Sequence, residues 1–201
     1  MEISNKKLLE RDLVKSFGFD PTADQAIALK QLSHFVLSIA NNEVFLLKGY
    51  AGTGKTSLIQ TLVKTLPNYK RKTALMAPTG RAAKVISQYT GKPAFTIHKY
   101  IYQPKKDSSG RAIFNLRPNK ATNTLYIVDE ASMINDSGMD SSIASGSLLQ
   151  DLMAFVKAGT NCKLMLVGDV AQLPPVGSDQ SPALDPNYLG LNYRKETTEV
   201  E

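Results

Sequence analysis

The chain of 201 residues is 42% hydrophobic, which suits one well-packed domain and leaves little room for a second of equal size. One cysteine excludes an internal disulfide framework, and without an apolar signal segment or membrane-length run we expect a cytoplasmic protein with no membrane partner. The formal net charge of +6 favours a polyanionic partner such as a nucleic acid.

Apolar runs alternate with helix-like stretches along most of the chain. This alternation is typical of an α/β fold with a mainly parallel sheet and helices on both faces. We expect a single domain over residues 1–201, with N-terminal helices in 1–42. The patterns predict helices at 8–17, 22–40, 57–64, 81–88 and 148–157, and strands at 44–47, 72–77, 125–128 and 163–167.

Residues 100–120 differ in character from the rest of the chain. Apolar segments at 100–102 and 112–114 flank a turn-like stretch at 107–110, which predicts an inserted β-hairpin. Further on, residues 135–147 are rich in Ser, Gly and Asp and are expected to form a mobile loop. The hairpin region has one acid, Asp107, against the basic residues Lys105, Lys106, Arg111, Arg117 and Lys120.

The sequence GYAGTGKT begins at Gly49, after a predicted buried strand and before a predicted helix. It fits G-x-x-x-x-G-K-[ST], in which glycines let backbone N–H groups surround a phosphate and the helix N-terminus adds positive potential. Lys55 can reach the β- and γ-phosphates, and the Thr56 hydroxyl can bind Mg²⁺. A nucleoside triphosphate site is therefore predicted at Gly49, Ala51, Gly52, Thr53, Gly54, Lys55, Thr56 and Ser57.

Two acids, Asp129 and Glu130, follow the predicted strand at 125–128. In a fold with a phosphate-binding loop, the carboxyl ends of the strands face the nucleotide. Asp129 would hold Mg²⁺, directly or through water, and Glu130 could deprotonate a water for attack on the γ-phosphate. The alternative is a strand end with two solvated acids, but the loop favours the functional interpretation.

Residues 168–177 follow the next predicted strand and contain Asp169, Gln172 and a stiff apolar turn at 173–175. Because Gln172 leaves the same edge of the sheet, its uncharged amide could sense a terminal phosphate. A loop that is joined to the γ-phosphate at one end and rigid at the other suits a mechanical relay. The alternative is a proline-rich surface turn, and spacing alone does not decide between the two.

The segment APTGRAA, at 77–83, leaves a predicted strand on that edge as well. The Thr79 hydroxyl, the Gly80 amide and the Arg81 charge could together bind a backbone phosphate at a helix start. Thr79 could equally be an ordinary N-cap.

Gln25 and the histidines also have two interpretations. Thr22-x-x-Gln25 is a capping box, which alone explains both residues. A glutamine can also pair with adenine N6 and N7, and both roles can hold together. A lone histidine is usually structural, which we expect of His34, within a predicted helix; the other histidine is His98.

Six stretches, in this order, resemble the first RecA-like domain of superfamily 1 DNA helicases, in the branch that contains RecD. The resemblance implies an ATP-dependent helicase that moves 5′ to 3′ and acts in DNA repair, recombination or replication. Its partners would be single-stranded DNA and junctions of single- and double-stranded DNA. The stretches are Thr22-x-x-Gln25, GYAGTGKT from Gly49, APTGRAA from Ala77, TIH from Thr96, VDEASM from Val128 and VGDVAQLPPVG from Val167.

The resemblance also implies roles for individual residues. Gln25 would recognise adenine, and Lys55, Thr56 and Asp129 would bind the phosphates of ATP and Mg²⁺. Glu130 would be the catalytic base and Gln172 the γ-phosphate sensor. The hairpin at 102–115 lies where the family carries a strand-separating pin, although a solvated surface hairpin remains an equal alternative. Single-stranded DNA would contact Pro78, Thr79, Gly80, Arg81, His98, Leu173 and Pro174.

Two departures from the family pattern shape the expected activity. Arg81 stands where a lysine is common, which preserves the charge. In the family, ATP lies between two RecA-like domains, and the second supplies arginines that are worth about 10³–10⁵ in rate. Arg194 is the only arginine after Gln172 in this sequence. We therefore expect a monomeric fragment that binds ATP and turns it over slowly, if at all.

Two other classes of function remain open from the sequence. One is a nucleotide-switched module in which ATP orders residues 135–147 for a protein partner. The other is a stand-alone kinase-like enzyme, which is disfavoured because no second substrate site or lid is recognisable. A salt series of DNA affinities separates a helicase domain from a partner-binding switch, since only DNA binding requires a counterion-release slope.

Overall fold

The structure is a computed structural model that describes residues 2–40, 43–106, 112–136, 147–169, 171–172, 181–193 and 195–200. Its strands are β1 (Glu43–Lys48), β2 (Lys72–Ala77), β3 (Ala94–Thr96), β4 (Tyr102–Lys106), β5 (Ala112–Leu116), β6 (Thr124–Val128), β7 (Lys163–Gly168) and β8 (Glu196–Val200). Its α-helices are α1 (Glu2–Phe17), α2 (Ala23–Leu37), α3 (Lys55–Thr65), α4 (Gly80–Thr90), α5 (Ile97–Ile101), α6 (Leu148–Ala158) and α7 (Pro186–Tyr193). None of the helices described here is long and apolar enough to cross a membrane.

The main sheet has the strand order β3-β2-β6-β7-β1-β8, and its neighbouring strands are parallel. Lys48, at the end of β1, pairs with Gly168, at the end of β7. Val128, at the end of β6, pairs with Leu166, two residues before the end of β7. The segments that follow these strands therefore emerge at one edge of the sheet, where ligands bind in open α/β folds.

Strand β1 illustrates how both faces of the sheet are covered. Val44 and Leu46 join one core with residues of α5, α6 and α7, whereas Phe45 and Leu47 join a second core with residues of α1 to α4. Each of the four side chains is at most 3% exposed. A strand buried on both faces appears in the sequence as a continuous apolar run, which is the pattern that predicted this one. The predicted α/β fold with a mainly parallel sheet is confirmed.

Lys163, at the start of β7, is a charged residue only 3% exposed. Its Nζ donates to the Ala40 carbonyl at 2.8 Å and to the Glu43 carboxylate at 3.1 Å, and it lies 4.8 Å from the centre of the Phe35 ring. Burial lowers the pKa of Lys163, and the bond to Glu43 opposes that shift. These contacts join the starts of β1 and β7 at the edge opposite the phosphate-binding loop.

The structure corrects the predicted hairpin. Residues 100–101 belong to helix α5 and not to a strand, because the Thr96 hydroxyl accepts the Lys99 N–H at 3.2 Å and caps a short helix there. The hairpin arms are β4 and β5, which pair antiparallel from Tyr102 with Leu116 to Lys106 with Ala112. The predicted hairpin turn, 107–110, and most of the predicted mobile loop, 137–146, lie outside the described residues.

The second correction concerns residues 196–200. No strand was predicted there from the sequence, but this segment is strand β8, which pairs parallel with β1 from Glu43–Glu196 to Leu47–Val200. An ion pair between Lys48 and Glu199 reinforces the pairing. Polar residues alternate poorly with apolar ones in ETTEV, so the strand pattern was too weak to detect from sequence.

Gly168 ends β7 against the short 3₁₀ turn Ala131–Met133. A Cβ on Gly168 would lie 2.5 Å from Leu184 Cδ1 and 3.2 Å from the backbone N of Ser132. We expect Gly168→Ala to lower the free energy of unfolding by about 1–3 kcal/mol, because an added methyl group in a packed site forces its neighbours to shift. Urea denaturation measures the change.

Gly190→Ala is the matched control for this substitution. Gly190 lies within α7, and a Cβ there would have no neighbour closer than 3.8 Å. Alanine is favoured over glycine in a helix, so this control should raise the stability by about 0.5–1 kcal/mol. A Gly168→Ala protein as stable as the parent would contradict the close packing at this strand end.

Candidate nucleotide-binding site

The predicted phosphate-binding loop connects β1 to α3. Gly52 and Gly54 adopt left-handed conformations, with φ of 82° and 94°, which only glycine accepts without strain. Gly54 is the N-cap of α3, and no side chain caps this helix start. The first backbone N–H groups of α3 are therefore available to an anion, in the positive potential of the helix N-terminus.

Lys55 closes the loop on itself. Its Nζ donates to the carbonyls of Gly49 at 2.5 Å and Tyr50 at 2.8 Å. The Thr53 hydroxyl also donates to the Tyr50 carbonyl, at 2.9 Å. Hydrogen bonds within the loop thus fix its shape. The ammonium group of Lys55 already lies against the backbone that would surround a phosphate.

Gln25 joins α2 to this loop. Its Nε2 donates to the Thr53 carbonyl at 2.9 Å, and its Oε1 accepts the Thr22 N–H at 3.1 Å. The Thr22 hydroxyl accepts the Gln25 N–H at 3.3 Å, so the predicted capping box is confirmed. An amide has two N–H donors and two acceptor lone pairs, so one of each remains for adenine N7 and N6. Capping and adenine recognition are therefore compatible in one side chain.

A cavity of about 620 Å³ lies beside the loop. It is bounded by the start of α2, the loop and the end of β8, and its lining includes Gln25, Tyr50, Lys55, Leu58 and Val200. Its volume falls within the range of roughly 300–1,000 Å³ that is typical of small-molecule sites. The mixture of apolar and polar lining suits a planar base next to a charged phosphate group.

Asp129 and Glu130 lie at the end of β6, beside the loop. Burial raises the pKa of Asp129 to about 6; the Glu130 charge adds to this shift, whereas the Glu130 backbone N–H and the Lys55 charge oppose it. Glu130 has a left-handed φ of 55°, which is unusual for a residue with a side chain. Such strained backbone concentrates at functional sites, where the surrounding structure enforces it.

Gln172 comes to the same edge of the sheet. Its backbone N–H donates to the Asp169 carbonyl at 3.3 Å, and its side-chain Oε1 accepts the Ser132 hydroxyl at 3.2 Å. Asp169 is buried and accepts the Ala171 N–H at 2.8 Å, which fixes the turn after β7. The structure thus brings the predicted amide next to the turn that follows the acidic pair.

The predicted DNA-contacting residues divide into a described group and an undescribed one. Ala77 pairs with Thr96 at the ends of β2 and β3, so the segments after these two strands leave neighbouring positions of one edge. Leu173 and Pro174 lie outside the described residues. The described group at this edge comprises Pro78, Thr79, Gly80, Arg81 and His98.

Within this group, Thr79 has the structural role that the sequence left open. Its hydroxyl accepts the Ala82 N–H at 3.2 Å and caps α4. Gly80 and Arg81 are exposed, and the exposed ring of His98 lies 5.6 Å from the ring of Tyr102. The cap does not involve the Arg81 side chain, which stays exposed at this edge of the sheet, and contact with DNA stays a prediction.

One of the basic residues of the hairpin region makes a structural contact. Arg117 Nε donates to the Tyr102 carbonyl at 2.6 Å, and the Arg117 backbone N–H donates to the Ile101 carbonyl at 2.7 Å. This arginine therefore holds the base of the hairpin. Lys105 and Lys120 are exposed, as a surface that follows a phosphate backbone would require.

Several residues that the structure places at the site had no predicted role. Ser132 was part of the quoted VDEASM stretch, and its small hydroxyl two residues after Glu130 was an available signal. Tyr50 was visible as an aromatic residue within the loop, and it is 64% exposed beside the cavity. Val200 gave no signal, because only the pairing of β8 with β1 brings it to the cavity.

The donor set fits a magnesium nucleotide. Mg²⁺ prefers oxygen ligands and is usually held by one or two protein groups together with substrate phosphates. Asp129 supplies a carboxylate next to Lys55, and Thr56 supplies a hydroxyl in the first turn of α3. Within the described part of the chain, Thr56 Oγ1 has no hydrogen-bond partner and is free to act as a ligand.

Comparison with known proteins gives the class. The family model described as "AAA domain" matches residues 33–178, which include the loop, the acidic pair and Gln172. The chain belongs to this family. Within it, the fold and the order of the motifs are those of a RecA-like domain of superfamily 1 helicases, and the RecD-like branch is consistent with the relatives.

Individual relatives are much longer than this chain. The chain is 34% identical over 154 residues to the ATP-dependent RecD2 DNA helicase of Deinococcus radiodurans, an alignment that covers 76% of the chain and 18% of that protein. It is 32% identical over 204 residues to an uncharacterized protein of Methanocaldococcus jannaschii, covering 96% of the chain and 16% of that protein. Among solved structures, it is similar to the Pif1 helicase from Candida albicans, with a TM-score of 0.49, 20% identity and coverage of 89% of this chain and 39% of that one.

The raised pKa of Asp129 predicts a pH-dependent stability. The ordinary value is 3.8, so between about pH 4 and 6 the folded protein holds a proton that the unfolded chain releases. The resulting stability is complete below pH 4 and is lost as the pH rises through about 6. We therefore expect Asp129→Asn to raise the free energy of unfolding by about 2–3 kcal/mol at pH 8 without metal, and by much less at pH 4.

Denaturant unfolding at the two pH values, in buffer with a chelator, measures this difference. Asp20→Asn, at an exposed loop position, provides the same chemical change as a control. A lower stability of Asp129→Asn than of the parent at pH 8 would contradict the burial of an unfavourable charge at this strand end.

Proposed function

We propose that the chain is the ATP-binding motor domain of an ATP-dependent 5′-to-3′ DNA helicase that acts on single-stranded DNA and on junctions with duplex DNA. One observation carries the proposal: the phosphate-binding loop closed by Lys55 lies at the same sheet edge as the acidic pair Asp129–Glu130. This pairing of a phosphate cradle with carboxylates is the arrangement that phosphoryl transfer to water requires. The similarity to a protein named as an ATP-dependent DNA helicase supports the finer assignment.

In this proposal each residue of the site has one task. Lys55 binds the β- and γ-phosphates, and Thr56 and Asp129 hold Mg²⁺, which neutralises phosphate charge when it is bound. Glu130 accepts a proton from the attacking water, and Gln172 donates a hydrogen bond to the terminal phosphate. Gln25 recognises the base from the cavity beside the loop, a task for which its spare amide donor and acceptor are suited.

The DNA would lie across the ends of β2 and β3. Arg81 provides an exposed charge at the start of α4, whose free N–H groups can also bind a phosphate. Phe95, 36% exposed on β3, has the Lys99 ammonium 5.2 Å from its ring centre, and His98 adds a second exposed ring. Aromatic rings next to positive charge are the usual platform for single-stranded nucleic acid.

Efficient turnover would require a second RecA-like domain. In the family resemblance, that domain closes over ATP and supplies arginines to the transferring phosphate, which are worth about 10³–10⁵ in rate. The chain itself spans 16–18% of the two relatives compared with it. We therefore propose that the chain alone, as a monomer, binds ATP and hydrolyses it slowly.

Lys55→Ala tests the nucleotide site. Because the ammonium makes charge-assisted bonds to the phosphates, its loss should weaken ATP binding by about 10- to 100-fold. Titration with a fluorescent ATP analogue and Mg²⁺ measures the affinity. Lys64→Ala, at an exposed position in the last turn of the same helix, should bind like the parent. Equal affinities of the two variants would overturn the assignment of the loop.

Arg81→Ala tests the DNA edge. Affinity for single-stranded DNA should fall steeply with salt, and removing one phosphate contact should reduce the slope of log K against log [salt] by about 0.7. Fluorescence anisotropy across a salt series measures both values. Lys15→Ala, at an exposed position in the last turn of α1, should leave the slope unchanged. Binding without salt dependence would instead favour a nucleotide-switched module for a protein partner.

A further inference from the structure

The side chain of Ser132 connects the acidic pair to Gln172. Ser132 is 1% exposed, and its hydroxyl donates to Gln172 Oε1 at 3.2 Å. Gln172 itself is exposed. The donor is buried and the amide is exposed, so Gln172 does not need this bond to satisfy a buried polar group. The bond can instead set the orientation of the amide.

The position of Ser132 is fixed by the backbone on both sides. Glu130 begins the 3₁₀ turn in its left-handed conformation, and the Met133 N–H donates to the Glu130 carbonyl at 3.1 Å. The turn packs so closely on the end of β7 that a Cβ on Gly168 would lie 3.2 Å from Ser132 N. A shift of Glu130 would therefore move Ser132, which is the hydrogen-bond partner of Gln172.

The chemistry of the amide gives this bond a consequence. A glutamine amide presents an acceptor on one side and two donors on the other, and the two ends are similar in size. Ser132 donates to the oxygen, which leaves Nε2 without a partner among the described residues and available to donate. An anionic phosphate oxygen needs a donor, and a rotated amide would present its oxygen and repel the phosphate.

We propose that Ser132 is a positioning residue that holds the Gln172 amide with its N–H₂ group toward the terminal phosphate, and so couples the sensor to the Asp129–Glu130 turn. This inference rests on the proposed function, in which Gln172 contacts the γ-phosphate. In this role Ser132 would act on the phosphate only through Gln172.

The test measures the preference for a triphosphate over a diphosphate. Isothermal titration uses ADP and adenosine 5′-(γ-thio)triphosphate, both with Mg²⁺. It gives the dissociation constant for ADP divided by that for the triphosphate in the parent, Ser132→Ala, Gln172→Ala and the double variant. We expect Gln172→Ala to reduce the ratio by about tenfold, as for loss of a hydrogen bond to a charged group, and Ser132→Ala by about three- to tenfold. The double variant should match Gln172→Ala, because residues that act through one contact are not additive.

Ser33→Ala is the matched control. Ser33 is also fully buried, and its hydroxyl donates to the Lys30 carbonyl at 2.7 Å in α2. It should keep the parent ratio even if its stability falls, which separates a loss of buried hydroxyl from a loss of positioning. A thermal melt of each variant verifies that it is folded.

The outcomes separate this inference from the proposed function. Additive losses in the double variant, or an unchanged ratio in Ser132→Ala, overturn the positioning role while leaving Gln172 as the sensor. An unchanged ratio in Gln172→Ala overturns the sensor assignment and the inference together. If the parent binds neither nucleotide, the proposed ATP site itself is wrong.

Discussion

The site depends on the parallel alignment of β6, β7 and β1. Since all three strands run the same way, the phosphate-binding loop, the acidic pair and the turn to Gln172 must leave one edge of the sheet. At the other edge, buried Lys163 joins the start of β7 to the start of β1 through its bonds to the Ala40 carbonyl and to Glu43. At the functional edge, Gly168 is small enough for the 3₁₀ turn after Glu130 to pack on β7. A side-chain contact at the start of β7 and close backbone packing at its end therefore both support the position at which the chemical groups meet.

Much of this arrangement could be predicted from sequence, because it has local causes. Continuous apolar runs identified β1, β2, β6 and β7, and the glycines that require left-handed conformations identified the loop. The capping box could likewise be predicted, because Thr22 and Gln25 are only three residues apart in the sequence. Contacts between residues close in sequence leave a pattern in the residue types, and the ends of parallel strands can be assigned to one edge without knowing their order.

The unpredicted features are those that depend on contacts between distant segments. The sequence of β8 has no strand-like pattern. The segment forms a strand through its pairing with β1, and this pairing places Val200 at the cavity. Residues 100–101 belong to a helix that Thr96 caps, although their apolar and aromatic types suited the predicted hairpin arm at 100–102. Arg117 is equally basic in either role, and only the structure shows that it binds the Tyr102 carbonyl. The bond from Ser132 to Gln172 joins residues forty positions apart, beyond the reach of any local pattern.

The most direct measurement is a crystal structure of the chain with a non-hydrolysable ATP analogue and Mg²⁺. We expect phosphates against the first N–H groups of α3, Lys55 Nζ moved from the Gly49 and Tyr50 carbonyls to the β- and γ-phosphates, and Mg²⁺ held by Thr56 and Asp129. Gln25 should keep its bond to the Thr53 carbonyl while it contacts the base. A nucleotide bound elsewhere, with Lys55 still on the two carbonyls, would contradict the central claim that this loop is the ATP site.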